Sequence, residues 1–161
     1  MKLTLFPTHN SEIRVPMSKS KAMDIIRNNN INTKMHYFDK HLDGDTITLT
    51  SHGEILVNGS GFLPLTTLTF KEKNSETIIN LEFRQKQTSK FMVCLWFAFA
   101  VLWLAIALFI SLAYTVFRHT YPFVLVGLGF LVGGYYILHG SFRESTERME
   151  KIILDALKDQ P

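Results

Sequence analysis

An uncharged stretch occupies residues 91–112 and reads FMVCLWFAFAVLWLAIALFISL. As an α-helix rising about 1.5 Å per residue it would be about 33 Å long, sufficient to cross the hydrocarbon core of a bilayer. A second apolar run, residues 121–139, is rich in glycine, and a short polar segment separates the two runs. The sequence therefore predicts a transmembrane helical hairpin over residues 90–140, with spans at about 91–113 and 121–139.

The distribution of basic residues predicts the orientation of this hairpin. Lysine and arginine are frequent before the first run and after the second, at Lys71, Lys73, Arg84, Lys86, Lys90, Arg143, Arg148 and Lys151. The connecting segment contains only Arg118. Because lysine-rich and arginine-rich loops stay on the cytoplasmic side, we expect a multi-pass protein of the bacterial plasma (inner) membrane with both termini in the cytoplasm.

The residues before the hairpin predict a cytoplasmic α+β domain over residues 1–89. Apolar alternation and turn signals indicate strands at residues 3–6, 13–15, 34–38, 46–50, 55–58, 65–72 and 77–85. Pro7 and Asn10-Ser11 predict a turn between the first two strands. The apolar spacing of residues 18–29 predicts a helix with Ser18 as its N-cap, packed against a small antiparallel sheet. The expected core consists of Met23, Ile26, Ile47, Leu49, Leu68, Phe70, Leu81 and Phe83.

Residues 141–161 predict a separate cytoplasmic amphipathic helix. Ser141 and Glu144 have the spacing of a capping box, which marks a helix N-terminus. Six apolar residues of this segment share one face: Phe142, Met149, Ile152, Ile153, Ala156 and Leu157. This face either packs against the N-terminal domain or a second copy, or lies in the inner membrane interface.

Three short segments accompany these elements: Gly61-Phe62-Leu63-Pro64, Glu76-Thr77-Ile78-Ile79 and Gly140-Ser141-Phe142-Arg143-Glu144. With the β-rich domain and the two spans, they resemble a broad group of small, uncharacterised bacterial membrane proteins. The likeness extends from Phe38 to about Leu157. It implies the architecture alone, because the group brings no assigned activity and no functional residues.

Histidine and aspartate concentrate in one stretch, at His36, Asp39, His41, Asp43, Asp45 and His52. Zinc sites use such ligands, but strand alternation would send His36 and His41 to opposite faces, and no pair lies at i, i+4 on a predicted helix. We interpret these residues as parts of solvated turns. No arrangement of nucleophile and base can be read either. The sequence therefore assigns no catalytic residue, metal ligand or cofactor, and it favours a non-enzymatic protein.

Ser18, Lys19 and Lys21 lie at the N-terminus of the predicted helix. The helix macrodipole disfavours cations there unless an anion lies between them. A phospholipid headgroup could be that anion, and the alternative is a solvated first turn.

Small residues predict how the two spans pack. Ala100, Ala107 and Ser111 share a face of the first span, and Gly127 and Gly134 share a face of the second. Membrane helices associate where small residues let their backbones approach. In an antiparallel pair with a short loop, Ala107 would meet Gly127 and Ala100 would meet Gly134. The alternative is that the glycines face a second subunit.

These observations favour a membrane-anchored binding or regulatory module over two other function classes. A subunit of an oligomeric pore or transporter is one alternative, although neither span contains a lysine, arginine, aspartate or glutamate, and such proteins usually keep charged groups within the membrane. A lipid-acting enzyme at the inner membrane surface is the other. The expected partners are membrane lipid and either a protein partner or further copies of the chain. The net charge of +3 is spread along the chain, which argues against nucleic acid.

Overall fold

The structure is a computed structural model that describes residues 5–28, 37–52, 63–74, 76–113 and 117–158. Its elements in chain order are β1 (Thr8–Val15), α1 (Lys19–Asn28), β2 (Tyr37–Asp43), β3 (Thr46–His52), β4 (Leu65–Lys73), β5 (Glu76–Arg84), α2 (Gln87–Ala113) and α3 (Phe117–Lys158). The chain is an α+β protein with a five-stranded antiparallel sheet, one short helix and two long helices, which confirms the predicted fold class. The predicted strand at 55–58 and residues 34–36 lie outside the described residues.

The strand order of the sheet is β1-β5-β4-β3-β2, and every neighbouring pair is antiparallel. Two tight turns connect β2 to β3 and β4 to β5. Gly44 and Asn74 occupy these turns with φ values of 55° and 54°. Glycine and asparagine are the residues that adopt this left-handed conformation at least cost, so both hairpins follow from local sequence.

The first strand corrects one prediction. Asn10-Ser11 does not form a turn, because β1 runs without interruption from Thr8 to Val15 and pairs with β5 along its whole length. This pairing satisfies the backbone groups of β1 that face β5 and accompanies the burial of Ile13 and Val15, which outweighs the local turn preference of an Asn-Ser pair. The described part of the predicted strand at 3–6, Leu5 and Phe6, is not in a strand.

The core lies on one face of the sheet. Seven of the eight predicted members belong to a single buried cluster, and the eighth, Met23, is partly buried and packs against it, which confirms the predicted core. Phe142, Met149, Ile153 and Leu157 from α3 are buried in the same cluster. The apolar face of the C-terminal amphipathic segment therefore packs against the sheet domain, which is one of the alternatives predicted for it.

The C-terminal segment is not a separate helix, because α3 continues from Phe117 to Lys158 through Gly140 and Ser141. The predicted capping box is wrong for this reason: Ser141 lies in a helix interior, and Glu144 accepts a hydrogen bond from Arg148 at 3.1 Å. A single glycine costs a helix only about 1 kcal/mol, less than the burial of the apolar side chains on its C-terminal side contributes.

The described residues form two compact units. One, the hairpin unit, consists of Gln87–Gly140, and the other, the sheet unit, combines the sheet and α1 with the end of α3 from Ser141 onward. In the first unit, α2 and the N-terminal part of α3 are long and apolar enough to cross a membrane. Their apolar side chains are mostly exposed, for example Phe109 at 70% and Ile137 at 70%. Core helices of a soluble protein would bury these surfaces, so the unit indicates a membrane protein.

Candidate functional site

The two faces of the sheet differ in what covers them. Side chains alternate between faces along a strand, so Leu81 and Phe83 point into the core while Asn80, Glu82 and Arg84 point to the outer face. The inner face packs against α1 and the end of α3. Within the described part of the sheet unit, no helix covers the outer face.

The outer face contains an open groove of about 630 Å³ across β1, β5 and β4. Six of its eight lining residues belong to the outer face by strand alternation, and all six are polar: Asn10, Glu12, Thr69, Lys71, Asn80 and Glu82. The amide, hydroxyl, carboxylate and ammonium groups of this set can donate and accept hydrogen bonds. These groups are suited to recognition of another polar surface.

The same five-residue motif occurs on both sides of the β1–β5 ladder. Residues 10–14 read NSEIR and residues 80–84 read NLEFR, so each strand has the pattern Asn-x-Glu-apolar-Arg. In the observed register Asn10 lies opposite Glu82, and Glu12 lies opposite Asn80. The groove therefore has a local pseudo-two-fold symmetry centred between Ser11 and Leu81.

Each copy of the motif forms the same internal ion pair. The Nε atom of Arg14 donates to Oε1 of Glu12 at 2.8 Å, and the Nε atom of Arg84 donates to Oε1 of Glu82 at 2.7 Å. The hydrogen bond to Glu12, and then the charge of Glu12, raise the pKa of Arg14. Exposed pairs of this kind contribute little stability, but they neutralise the two carboxylates of the groove. Lys71 has no ion-pair partner among the described residues, so it remains available to attract an acidic group.

The residues of the predicted anion site do not share one partner. The Nζ atom of Lys19 lies 2.5 Å from Oδ1 of Asp45, so its charge has a counter-ion within the protein. Ser18 directly precedes α1, and its carbonyl accepts the first helical hydrogen bond from Ala22 at 3.0 Å. Lys21 is exposed. Contact of these residues with a lipid headgroup stays a prediction.

The histidine and aspartate stretch is distributed along the β2–β3 hairpin. Asp39, His41 and Asp43 alternate along β2 on the face opposite to the core, and Asp45 pairs with Lys19. His36 lies outside the described residues. Within the described ranges, the structure brings no three His, Cys, Asp or Glu side chains together as a group that could hold a metal ion.

A lysine on the inner face of β2 caps the end of α1. Lys40 lies opposite Leu49 in the ladder, and its Nζ atom donates to the carbonyls of Ile26 at 2.7 Å and Arg27 at 3.0 Å. A cation is favourable at the C-terminal end of a helix dipole. Partial burial lowers the pKa of Lys40, which is the direction expected when an ammonium group loses hydration.

In the hairpin unit, the small residues of α2 are buried: Ala100 is 3% exposed, Ala107 7% and Ser111 4%. The atoms nearest to the two α3 glycines belong to large side chains of α2. A Cβ atom at Gly134 would lie 2.7 Å from Nε1 of Trp96, and one at Gly127 would lie 2.6 Å from Cδ2 of Leu104. The direct meeting of the alanines with the glycines stays a prediction.

Each tryptophan of α2 packs against a phenylalanine of α3. Trp96 packs edge-on against Phe130 with ring centroids 5.5 Å apart, and Trp103 lies 6.3 Å from Phe123. In each case the glycine next to the indole follows that phenylalanine by four residues. Trp103 also donates from Nε1 to the carbonyl of Phe123 at 3.1 Å. Trp96 and Trp103 are seven residues apart, and so are Phe123 and Phe130. This shared interval is the sequence signal for the arrangement.

In comparisons with known proteins, no family model, curated protein or solved structure matches the chain. The outer-face groove is therefore interpreted from its own chemistry.

Proposed function

We propose that the protein is a non-enzymatic, membrane-anchored binding module. Its hairpin crosses the inner membrane twice and returns the chain to the cytoplasm, where the sheet domain presents its outer face. The exposed apolar surfaces of α2 and α3 support the anchor. The excess of lysine and arginine before the first span and after the second supports the orientation.

The outer-face groove is the observation that carries the binding role. Its two carboxylates are paired with arginines of the same strands, whereas Asn10, Asn80 and Lys71 offer polar groups to a partner. Such a set fits a protein segment with acidic and amide side chains, because Lys71 would attract the first and the asparagines would pair with the second. The partner in this proposal is a protein.

Site-specific photo-crosslinking in cells tests this role. A photoreactive residue at Thr69, inside the groove, should give a discrete protein adduct, and Lys71→Glu in the same chain should reduce its yield at least tenfold. The matched control is a photoreactive residue at Lys151, which is exposed on α3 of the same unit. The same adduct from both positions, or no adduct from Thr69, would remove the groove as the binding surface.

A further inference from the structure

The sheet has two edge strands, β1 and β2. In an edge strand, the backbone N–H and C=O groups of every second residue point away from the sheet and can pair with another strand. Among the described residues, no backbone hydrogen bond outside the β1–β5 ladder involves residues 8–14. Within the described residues, the edge of β1 that faces away from β5 is therefore unpaired over nearly its full length.

The two edges differ in their protection against pairing. An inward-pointing charge is a common device that blocks strand addition, and β2 has one in Lys40. The inward positions of β1 are occupied by His9, Ser11, Ile13 and Val15, with no lysine, arginine or carboxylate. The β1 ladder is also continuous from Thr8 to Val15 and contains no bulge. Of the two edges, β1 is the one suited to accept a further strand.

The sequence of β1 is complementary to itself. Along one edge, β1 pairs with β5, which contains the same five-residue motif, so that asparagine lies opposite glutamate at both polar positions. A second copy of β1 can repeat this pairing along the opposite edge. Its Glu12 would lie opposite Asn10, its Asn10 opposite Glu12, and the two Ser11 residues would face each other. Centring the pair on Glu12 instead would place two carboxylates directly opposite, which is unfavourable.

The side chain of Ser11 also favours this register. Its Oγ atom is buried and has no hydrogen-bond partner among the described residues. Buried polar groups without partners are costly and uncommon in native proteins. In the register above, Ser11 of the second copy lies directly opposite, with Cβ atoms about 4.5–5.5 Å apart. That distance lets one hydroxyl donate to the other.

We propose that the protein forms a two-fold symmetric dimer through β1, in which the β1 strands of two copies pair antiparallel and the dyad passes between their Ser11 residues. The two sheets then form one ten-stranded sheet. The dimer does not depend on what the outer-face groove binds.

Disulfide crosslinking of the full-length chain tests the register. In a Cys94→Ala background in mild detergent, Ser11→Cys should form a covalent dimer under mild oxidation. Glu12→Cys is the control, because the two positions 12 would lie diagonally across the dyad with Cα atoms about 8 Å apart, beyond the roughly 7 Å that a disulfide spans. We expect at least tenfold more dimer from position 11. Equal or greater crosslinking from position 12 would overturn the register.

Light scattering of the detergent-solubilised chain tests the dimer itself, with a control that the motif provides. Asn10→Glu places a carboxylate opposite Glu82 within the chain and opposite Glu12 of the second copy, whereas Asn80→Glu places one opposite Glu12 within the chain only. We expect a dimer for the natural chain and for Asn80→Glu, and at least a tenfold higher dissociation constant for Asn10→Glu. A monomer at every concentration, or the same effect of both substitutions, would overturn the proposal.

Discussion

Gly134 shows how one residue can determine the fit of a helical pair. The indole of Trp96 occupies the space that a side chain at this position would need, since a Cβ atom there would lie 2.7 Å from Nε1. The neighbouring Gly133 has no such constraint, because a Cβ atom would have no neighbour within 4 Å. Two adjacent glycines of one helix thus have different roles.

We expect Gly134→Ala to destabilise the hairpin by about 1–3 kcal/mol, the usual cost of overpacking a filled contact. Gly133→Ala is the matched control and should leave stability unchanged or raise it slightly, because alanine is the better helix former. Thermal unfolding in detergent, followed by circular dichroism, measures both. Equal midpoints for the two variants would mean that Trp96 does not occupy the space beside Gly134.

At the scale of elements, α3 is the helix with two different surroundings. Its part up to Gly140 belongs to the hairpin unit, and its part from Ser141 belongs to the sheet unit. The second part contributes Met149 and Ile153, both fully buried, to the core. The sheet domain should therefore depend on the end of the chain for its stability.

Ile153→Ala should lower the free energy of opening of the sheet by about 2–5 kcal/mol, because it leaves a cavity in the core. Hydrogen exchange at the amides of β4 and β5 in the full-length chain measures this loss. Asp155→Ala, at an exposed position of the same helix, should leave exchange unchanged. Unaltered protection in Ile153→Ala would show that the segment lies elsewhere.

Local signals are sufficient to predict most of the sheet. Period-two alternation predicts β3, β4 and β5, and Gly44 and Asn74 mark the turns between neighbouring strands. The outward set on β5 also follows from this alternation. The other half of the groove does not, since Asn10-Ser11 has a local turn preference that is overridden only by pairing with β5. Comparison of residues 10–14 with residues 80–84 is the signal that could reveal it.

The remaining misses also depend on contacts between distant parts of the chain. A capping-box pattern at Ser141 predicts a helix start, yet α3 passes through it because the apolar residues beyond it are buried on the sheet. The roles of Trp96 and Trp103 require the register of two helices, which composition alone does not supply. Burial of the partner surface, rather than local preference, decides each of these cases.

At the scale of the whole molecule, the chain combines an apolar helical unit with a sheet domain that has a polar outer face. The hairpin unit exposes aromatic and aliphatic side chains, whereas the sheet unit encloses a core and presents a polar groove. We propose that the hairpin unit crosses the membrane and returns the chain to its starting side. The groove and both termini would then face the cytoplasm.

Cysteine labelling in intact cells tests this topology. In a Cys94→Ala background, single cysteines replace Arg118, in the segment between the spans, and Lys158, at the end of α3. An impermeant maleimide added outside should label position 118 and should label position 158 only after the cells are lysed. Labelling of position 158 but not of 118 in intact cells would invert the topology, and equal labelling of both would contradict a membrane-spanning hairpin.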